Sequence, residues 1–193
     1  MNILVTGACG FIGSYVCKSL VDDGRIVIGF DDFSNSTIEC KQISQSLCKT
    51  VVEASILDAC AIEKALRDFN IDLVVHLAAK PGVEWSTEHP VECINVNVVG
   101  TENVLDAMRK TFVPNIIFAS SSTVYSGLSP YGLSKQFGER LVEMHSKLYG
   151  CRSLALRLFS AYGPRMRKDL AMNKLADSTR VDKAIFCARG DAT

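Results

Sequence analysis

The sequence predicts an α/β domain built on a parallel sheet, and three observations carry that prediction. Short β-branched runs alternate with longer amphipathic segments along the whole chain, the pattern of repeated strand–helix units. A glycine-punctuated turn joins the first run to the first amphipathic segment. With 193 residues, 48% of them hydrophobic, the chain can bury one full core and a short appendage, but not two large domains.

Taken in order, the strand candidates are Asn2–Thr6, Ile26–Phe30, Thr50–Glu53, Leu73–Leu77, Asn115–Ala119 and Ser153–Leu158. Apolar residues at three- or four-residue spacing predict helices over Phe11–Asp22, Ala59–Phe69, Val91–Lys110 and Leu133–Tyr149. In the last of these Phe137, Leu141, Met144 and Leu148 form one stripe, read as core or subunit contact. Asp31–Lys49 is polar and irregular, a loop with room for one short helix.

Lysine plus arginine and aspartate plus glutamate both number 21, so no long-range field recruits nucleic acid or an acidic membrane surface. Any bound anion must be held locally. The 8 cysteines are scattered without a Cys-x-x-Cys pair or a nearby histidine partner, which predicts no metal site. They read as reduced, mostly buried small hydrophobes, with a disulfide framework as the alternative. Met1–Val5 runs straight into the glycine turn, and no apolar run reaches membrane-span length. The expectation is a soluble, cytoplasmic protein.

The turn Thr6-Gly7-Ala8-Cys9-Gly10-Phe11-Ile12-Gly13 opens the first helix directly after the first strand, as a dinucleotide site requires. Early glycines let the backbone approach a pyrophosphate, the last lets helix and sheet pack closely, and the helix N-terminus offers N–H groups to the phosphates. Asp31 follows at the end of the second strand, 18 residues after Gly13, where a carboxylate accepts from ribose hydroxyls. Asp32 beside it would repel a 2′-phosphate, which favours NAD over NADP. The competing reading makes both aspartates solvated turn residues. Together these features predict a Rossmann-type doubly wound parallel sheet.

Tyr131 and Lys135 stand four residues apart, on one face at a helix N-terminus. A lysine there favours the phenolate, and such a tyrosine can take a hydroxyl proton while hydride leaves for the cofactor. Ser120-Ser121-Ser122-Thr123 follows the Asn115–Ala119 strand, at the sheet end where such sites assemble. Its hydroxyls can bridge tyrosine and substrate, or hydrogen-bond the backbone at the strand end.

With these strings the chain resembles the extended short-chain dehydrogenase/reductase family, specifically its nucleotide-sugar 4-epimerases, over nearly its whole length. The others are His76-Leu77-Ala78-Ala79, Asn97-Val98-Val99-Gly100-Thr101, Pro130-Tyr131-Gly132-Leu133-Ser134-Lys135 and Tyr162-Gly163-Pro164-Arg165. The resemblance implies Tyr131 as base, Lys135 as ribose anchor and modulator, and Ser121 as the hydroxyl on the sugar O4. It places Gly7, Gly10, Phe11, Ile12, Gly13, Asp31, Asp32, Leu77, Ala78, Ala79 and Asn97 at NAD. Val83, Ser86, Ser122, Ser160 and Arg167 fall at a UDP-sugar. Ser122 and Thr123 stand where dehydratases usually carry an acid, which favours epimerisation. Ser160 and the Arg165–Ala171 string resemble the hexuronate enzymes and imply a UDP-glucuronate-like substrate; surface charge is the other reading of Arg165 and Arg167. The family also implies a homodimer through the Val91–Lys110 and Leu133–Tyr149 segments.

The sequence departs from the family pattern in four places. Five residues separate Tyr125 from Tyr131 where relatives carry a longer loop, Glu84 replaces an arginine, and Ser55 an aspartate. The chain reaches Thr193 where the rest of a sugar-binding lobe is expected. The expected organisation is therefore an NAD-binding domain over 1–164 and the beginning of a nucleotide-sugar lobe over 165–193. Three functions fit this pattern: C4 epimerisation of a nucleotide sugar, NAD binding without turnover, or another dehydratase or reductase reaction on a nucleotide sugar.

Overall fold

The computed structural model of the protein describes residues 1–166, which leaves Arg167 outside the described residues. The chain divides into two units, Met1–Ser160 and Ala161–Thr193. The first unit alternates strands β1 (Asn2–Thr6), β2 (Ile26–Asp31), β3 (Thr50–Glu53) and β4 (Leu73–His76) with helices α1 (Phe11–Asp22), α2 (Ile38–Leu47) and α3 (Ala59–Asp68). Helices α4 (Val83–Glu88), α5 (Pro90–Ile94) and α6 (Gly100–Thr111) then lead to β5 (Asn115–Ser121), α7 (Pro130–Tyr149) and β6 (Arg152–Leu158).

All six strands are parallel, in the order β3-β2-β1-β4-β5-β6. This order makes the sheet doubly wound, as predicted from the sequence. Its winding reverses between β1 and β4, which opens a crevice at the carboxyl ends of those strands.

Side chains alternate across the sheet because the strand period is two. Leu4, Ile28, Phe30, Val74, Ile116 and Phe118 enter one core layer, with Ile62 and Leu66 of α3 and Leu105 and Met108 of α6. Ile3, Val5, Val27 and Val75 enter the other, against Ala8 and Cys17. The described cysteines are free thiols; Cys9, Cys17, Cys40, Cys48 and Cys93 are buried, as expected of small hydrophobes. Among the described residues no group of His, Cys, Asp or Glu could hold a metal, and no helix is long and apolar enough to cross a membrane.

Besides shifts of one or two residues at element ends, the structure refines the sequence expectations inside and between elements. The Asp31–Lys49 segment, read as a loop with room for one short helix, does carry one, the ten-residue α2, capped by Thr37 Oγ1 accepting from the Cys40 N–H. The predicted Val91–Lys110 helix is two helices joined by a π turn, Asn95–Val99. Helix α4 was not predicted; six residues are too few to show a period. Finally, α7 begins at Pro130 rather than Leu133, with Ser129 Oγ accepting from the Gly132 N–H.

Candidate cofactor and catalytic site

The glycine turn is fixed at the head of the crevice by its own backbone. Gly7, at φ +69°, donates its N–H to Phe30 O at 2.8 Å, and Gly10 N–H returns to Gly7 O at 3.1 Å. A Cβ on Gly7 would lie 2.7 Å from Ala78 N, and one on Gly13 would lie 2.0 Å from Gly7 O. Both positions therefore require glycine for close backbone approach. At Gly10 an added Cβ would meet only Gly7 O, at 3.3 Å. Gly10 is also the N-cap of α1, and no side chain caps that helix. The first-turn N–H groups of Phe11, Ile12 and Gly13 are thus left to an anion, on the positive end of the helix dipole.

Asp31 is 8% exposed and ties this turn to β2. Its Oδ2 accepts from Cys9 N–H at 2.8 Å, and its Oδ1 from Phe33 N–H at 2.8 Å. Burial pushes its carboxyl above the ordinary value, against those N–H groups, which pull it down. Asp32 is exposed and closes a local turn, with Oδ1 accepting from Ser34 N–H at 2.9 Å and Ser34 Oγ at 2.6 Å.

The far side of the crevice is held by a buried polar chain that the sequence reading did not find. Thr101 Oγ1 donates to Asn97 O at 2.7 Å, so it must accept from His76 Nε2 at 3.0 Å. The other ring nitrogen, Nδ1, then accepts from Thr6 Oγ1 at 2.7 Å, and Thr6 Oγ1 in turn accepts from Ala78 N–H at 3.2 Å. This network needs a neutral imidazole. Burial first, and the Lys135 charge second, hold His76 down at about 3.

That depression has a measurable consequence. Between pH 6.5 and about 3 the unfolded chain takes up a proton at His76 that the folded chain does not, so stability falls as pH falls through that window. The expected slope from this group is at most about 1.4 kcal/mol per pH unit. Urea unfolding at stepped pH checks it: His76→Gln should flatten the acid limb, and an unchanged limb would contradict the assignment.

Asn97 sits in the π turn and holds the next loop. Its Oδ1 accepts from Lys80 N–H at 2.8 Å, and its Nδ2 donates to Lys80 O at 3.1 Å and Ser134 Oγ at 3.0 Å. It therefore ties the Leu77–Lys80 segment, with Ala78 against Gly7, to the start of α7. Ser134 Oγ itself donates to Tyr131 O at 2.8 Å.

Lys135 is buried on α7, and its Nζ donates to Ala119 O at the end of β5 at 2.8 Å. The ammonium lies 5.0 Å from the centre of the Phe118 ring and 6.0 Å from that of Tyr131. Burial brings it down to about 8, still charged at neutral pH. The Tyr131 backbone is set by Ser86, which is fully buried: Ser86 Oγ accepts from Tyr131 N–H at 3.2 Å and donates to Val83 O at 2.8 Å. Ser86 therefore holds the Tyr131 backbone, while Val83 is exposed.

The serine cluster divides its work. Ser120 donates to Glu139 at 2.5 Å, and Glu139 is clamped by Arg157 through two bonds of 2.9 Å. Ser121 Oγ accepts from Thr123 N–H at 3.2 Å and Thr123 Oγ1 at 2.9 Å, so its own proton is left to donate. Ser122 opens the 3-10 turn Ser122–Tyr125 and is half-buried. The short link to α7 closes tightly, Gly127 N–H reaching Thr123 O at 3.1 Å. Ser160, at the end of the first unit, is exposed.

The residues present fit a dinucleotide: an uncapped helix start for the diphosphate, a carboxylate at the end of β2, and a lysine–tyrosine pair across the crevice. Comparison with known proteins agrees. Residues 3–182 match the NAD dependent epimerase/dehydratase family, and the chain belongs to that family. It is 36% identical over 198 residues to an uncharacterised UDP-glucose epimerase, YtcB, of Bacillus subtilis, covering 91% of this chain and 61% of the relative. Among solved structures it is similar to the UDP-glucuronic acid 4-epimerase of Bacillus cereus in complex with UDP-glucuronic acid and NAD, at TM-score 0.85 and 35% identity, covering 95% of this chain and 64% of that one. The UDP-glucose 4-epimerase of Thermus thermophilus in complex with NAD gives TM-score 0.82 and 30% identity, with 92% and 61% covered. The chain thus spans about three-fifths of the length of these relatives. The family is NAD dependent by its description, and both of these solved relatives are complexes with NAD.

Proposed function

We propose that this chain supplies the NAD-binding and acid–base half of a nucleotide-sugar 4-epimerase, acting on a UDP-hexuronate or UDP-hexose. The observation that carries the reading is the pairing of Tyr131 with the buried Lys135 at the carboxyl end of β5, across the crevice from the glycine turn. The first turn of α1 holds the diphosphate, Asp31 faces the adenosine ribose, and Lys135 faces the nicotinamide ribose. NAD, when bound, supplies the hydride acceptor and donor.

The protein's own residues handle the proton. Tyr131 takes it from the sugar C4 hydroxyl, and the Lys135 charge stabilises the phenolate while that proton is held. Ser121, whose oxygen already accepts from Thr123, donates its proton to the O4 oxygen. Rotation of the 4-keto sugar about its diphosphate link presents the other face, and Tyr131 returns the proton to O4. Ser160 and the Arg165–Ala171 string support a hexuronate; Val83 and Ser122 complete the sugar contacts.

The full chain incubated with a panel of UDP-sugars should form the C4 epimer of one of them, detected by proton NMR. NAD binding with no product from any would favour a binding role without turnover. Lys135→Met should weaken NAD binding and lower kcat together, each by about tenfold or more, because one side chain serves ribose and phenolate. Calorimetry and initial rates check this, and unchanged values for both would remove Lys135 from the site.

A homodimer belongs to the same reading. Leu133, Phe137, Met144 and Leu148 are exposed along one face of α7, and Val91 and Ile94 of α5 are exposed as well. Of the predicted stripe only Leu141 packs on the core, and the exposure of the other three side chains supports a contact with a second copy. Phe137→Glu should shift the mass measured by light scattering from dimer to monomer, and a monomeric unaltered chain would refute the assembly.

A further inference from the structure

We propose that Lys80 is the counter-ion for the cofactor's diphosphate and that Glu92 competes with the diphosphate for it; this rests on the reading that the crevice binds NAD. With lysine plus arginine and aspartate plus glutamate both at 21, an anion has to be held by local groups. The carboxylates at the end of β2, Asp31 and Asp32, make that end of the crevice acidic. The backbone N–H groups of α1 supply partial charges alone.

Lys80 is built to supply a full one. Its backbone is gripped on both sides by Asn97, two residues beyond the Ala78 that packs on Gly7. Its side chain is only 19% exposed. The ammonium lies 3.2 Å from Ser34 Oγ, in the turn after β2, and 3.2 Å from Glu92 Oε1 on α5. Strand β1 lies between β4 and β2 in the sheet. A side chain rooted beyond β4 that touches the turn beyond β2 therefore crosses the carboxyl end of β1, where the glycine turn begins. The ammonium stands on the path of a diphosphate seated on the first turn of α1.

The hold on that ammonium is weak enough to exchange. Glu92 is half-exposed, and an ion pair open to solvent through one partner is screened there and contributes modestly. A diphosphate brings two negative charges and shorter, charge-assisted bonds. Binding thus draws Lys80 from Glu92 and Ser34 onto phosphate oxygens, with its anchored backbone as the pivot.

The fold carries its own reporter. Trp85 is the only tryptophan in the sequence, and the Lys80 ammonium lies 5.9 Å from its ring centre. The full chain is titrated with NAD+, ADP and adenosine by calorimetry, with Trp85 emission followed in parallel. Lys80→Met should lower affinity for NAD+ and ADP by about ten- to hundredfold, the range of a charge-assisted hydrogen bond, and leave adenosine within about twofold. ADP should change Trp85 emission in the unaltered chain and not in Lys80→Met. Glu92→Gln should raise NAD+ affinity, and Lys80→Arg should retain most of it.

Equal NAD+ affinity in Lys80→Met overturns the proposal, as does an equal loss for ADP and adenosine, which would mark Lys80 as a structural tie. Should Lys80→Met not fold, Glu92→Gln decides: unchanged or weaker NAD+ binding contradicts the competition. No NAD+ binding by the unaltered chain overturns the reading of the crevice itself, a result separate from any outcome at Lys80.

Discussion

Replacing Tyr131 by phenylalanine should reduce epimerisation by about a thousandfold or more while NAD affinity stays within about twofold, because the change removes one oxygen and the proton it carries. The geometry separates the two effects. Lys135 is anchored independently, on Ala119 O, and the start of α7 is held by Ser129, Ser134 and Ser86 through backbone atoms. None of those bonds uses the phenol, so the variant should keep its fold and its cofactor. Rates from NMR and NAD titration by calorimetry check both halves; a variant that turns over at the original rate would remove Tyr131 from proton transfer.

The second large effect is expected at Gly13. A Cβ there would lie 2.0 Å from Gly7 O and 2.9 Å from Ala8 backbone atoms, and none of these can swing aside as a side chain does. Gly13→Ala must push the glycine turn off the start of α1. Overpacking of this kind costs about 1–3 kcal/mol, which for a chain of this size lowers the melting temperature by roughly 2–12 °C. NAD affinity should fall further, by about a hundredfold or more, since several N–H groups lose their aim together. Calorimetry and thermal unfolding test this, and a variant with ordinary affinity would show that the diphosphate lies elsewhere.

The strands were legible because each is a short apolar run bounded by turn residues, and five of the six predicted starts match those observed. The glycine turn and Asp31 were legible because their chemistry depends on backbone geometry that only certain residues allow. The buried chain Thr6–His76–Thr101–Asn97 was not, since 70 residues separate Thr6 from His76 and 25 separate His76 from Thr101. Its members meet only once β1, β4 and the π turn are assembled. The π turn itself leaves the apolar spacing of Val91–Lys110 almost unchanged, and so it reads as one helix. The start of α7 could have been found: Ser129-Pro130 is an N-cap followed by the favoured first-turn proline.

Two side-chain roles also needed the fold. Lys80 lies in no motif of the sequence, and only the fold places it between Ser34 and Glu92. Leu154 and Leu156 alternate with Ser153, Ala155 and Arg157 as a half-buried strand would, yet both are exposed on β6, the outermost strand among the described residues. Periodicity shows which side chains share a face; it does not show what that face meets.

The most direct test of the account is proton NMR of UDP-glucuronate turned over by the full chain in deuterated water. If Tyr131 exchanges a proton only at O4 and the carbon-bound hydrogen of C4 leaves and returns without meeting solvent, the epimer should appear with protium at C4 and at C5. Deuterium at either carbon would contradict the account, since it would mean that a carbon acid, rather than the C4 hydroxyl, gives up its proton.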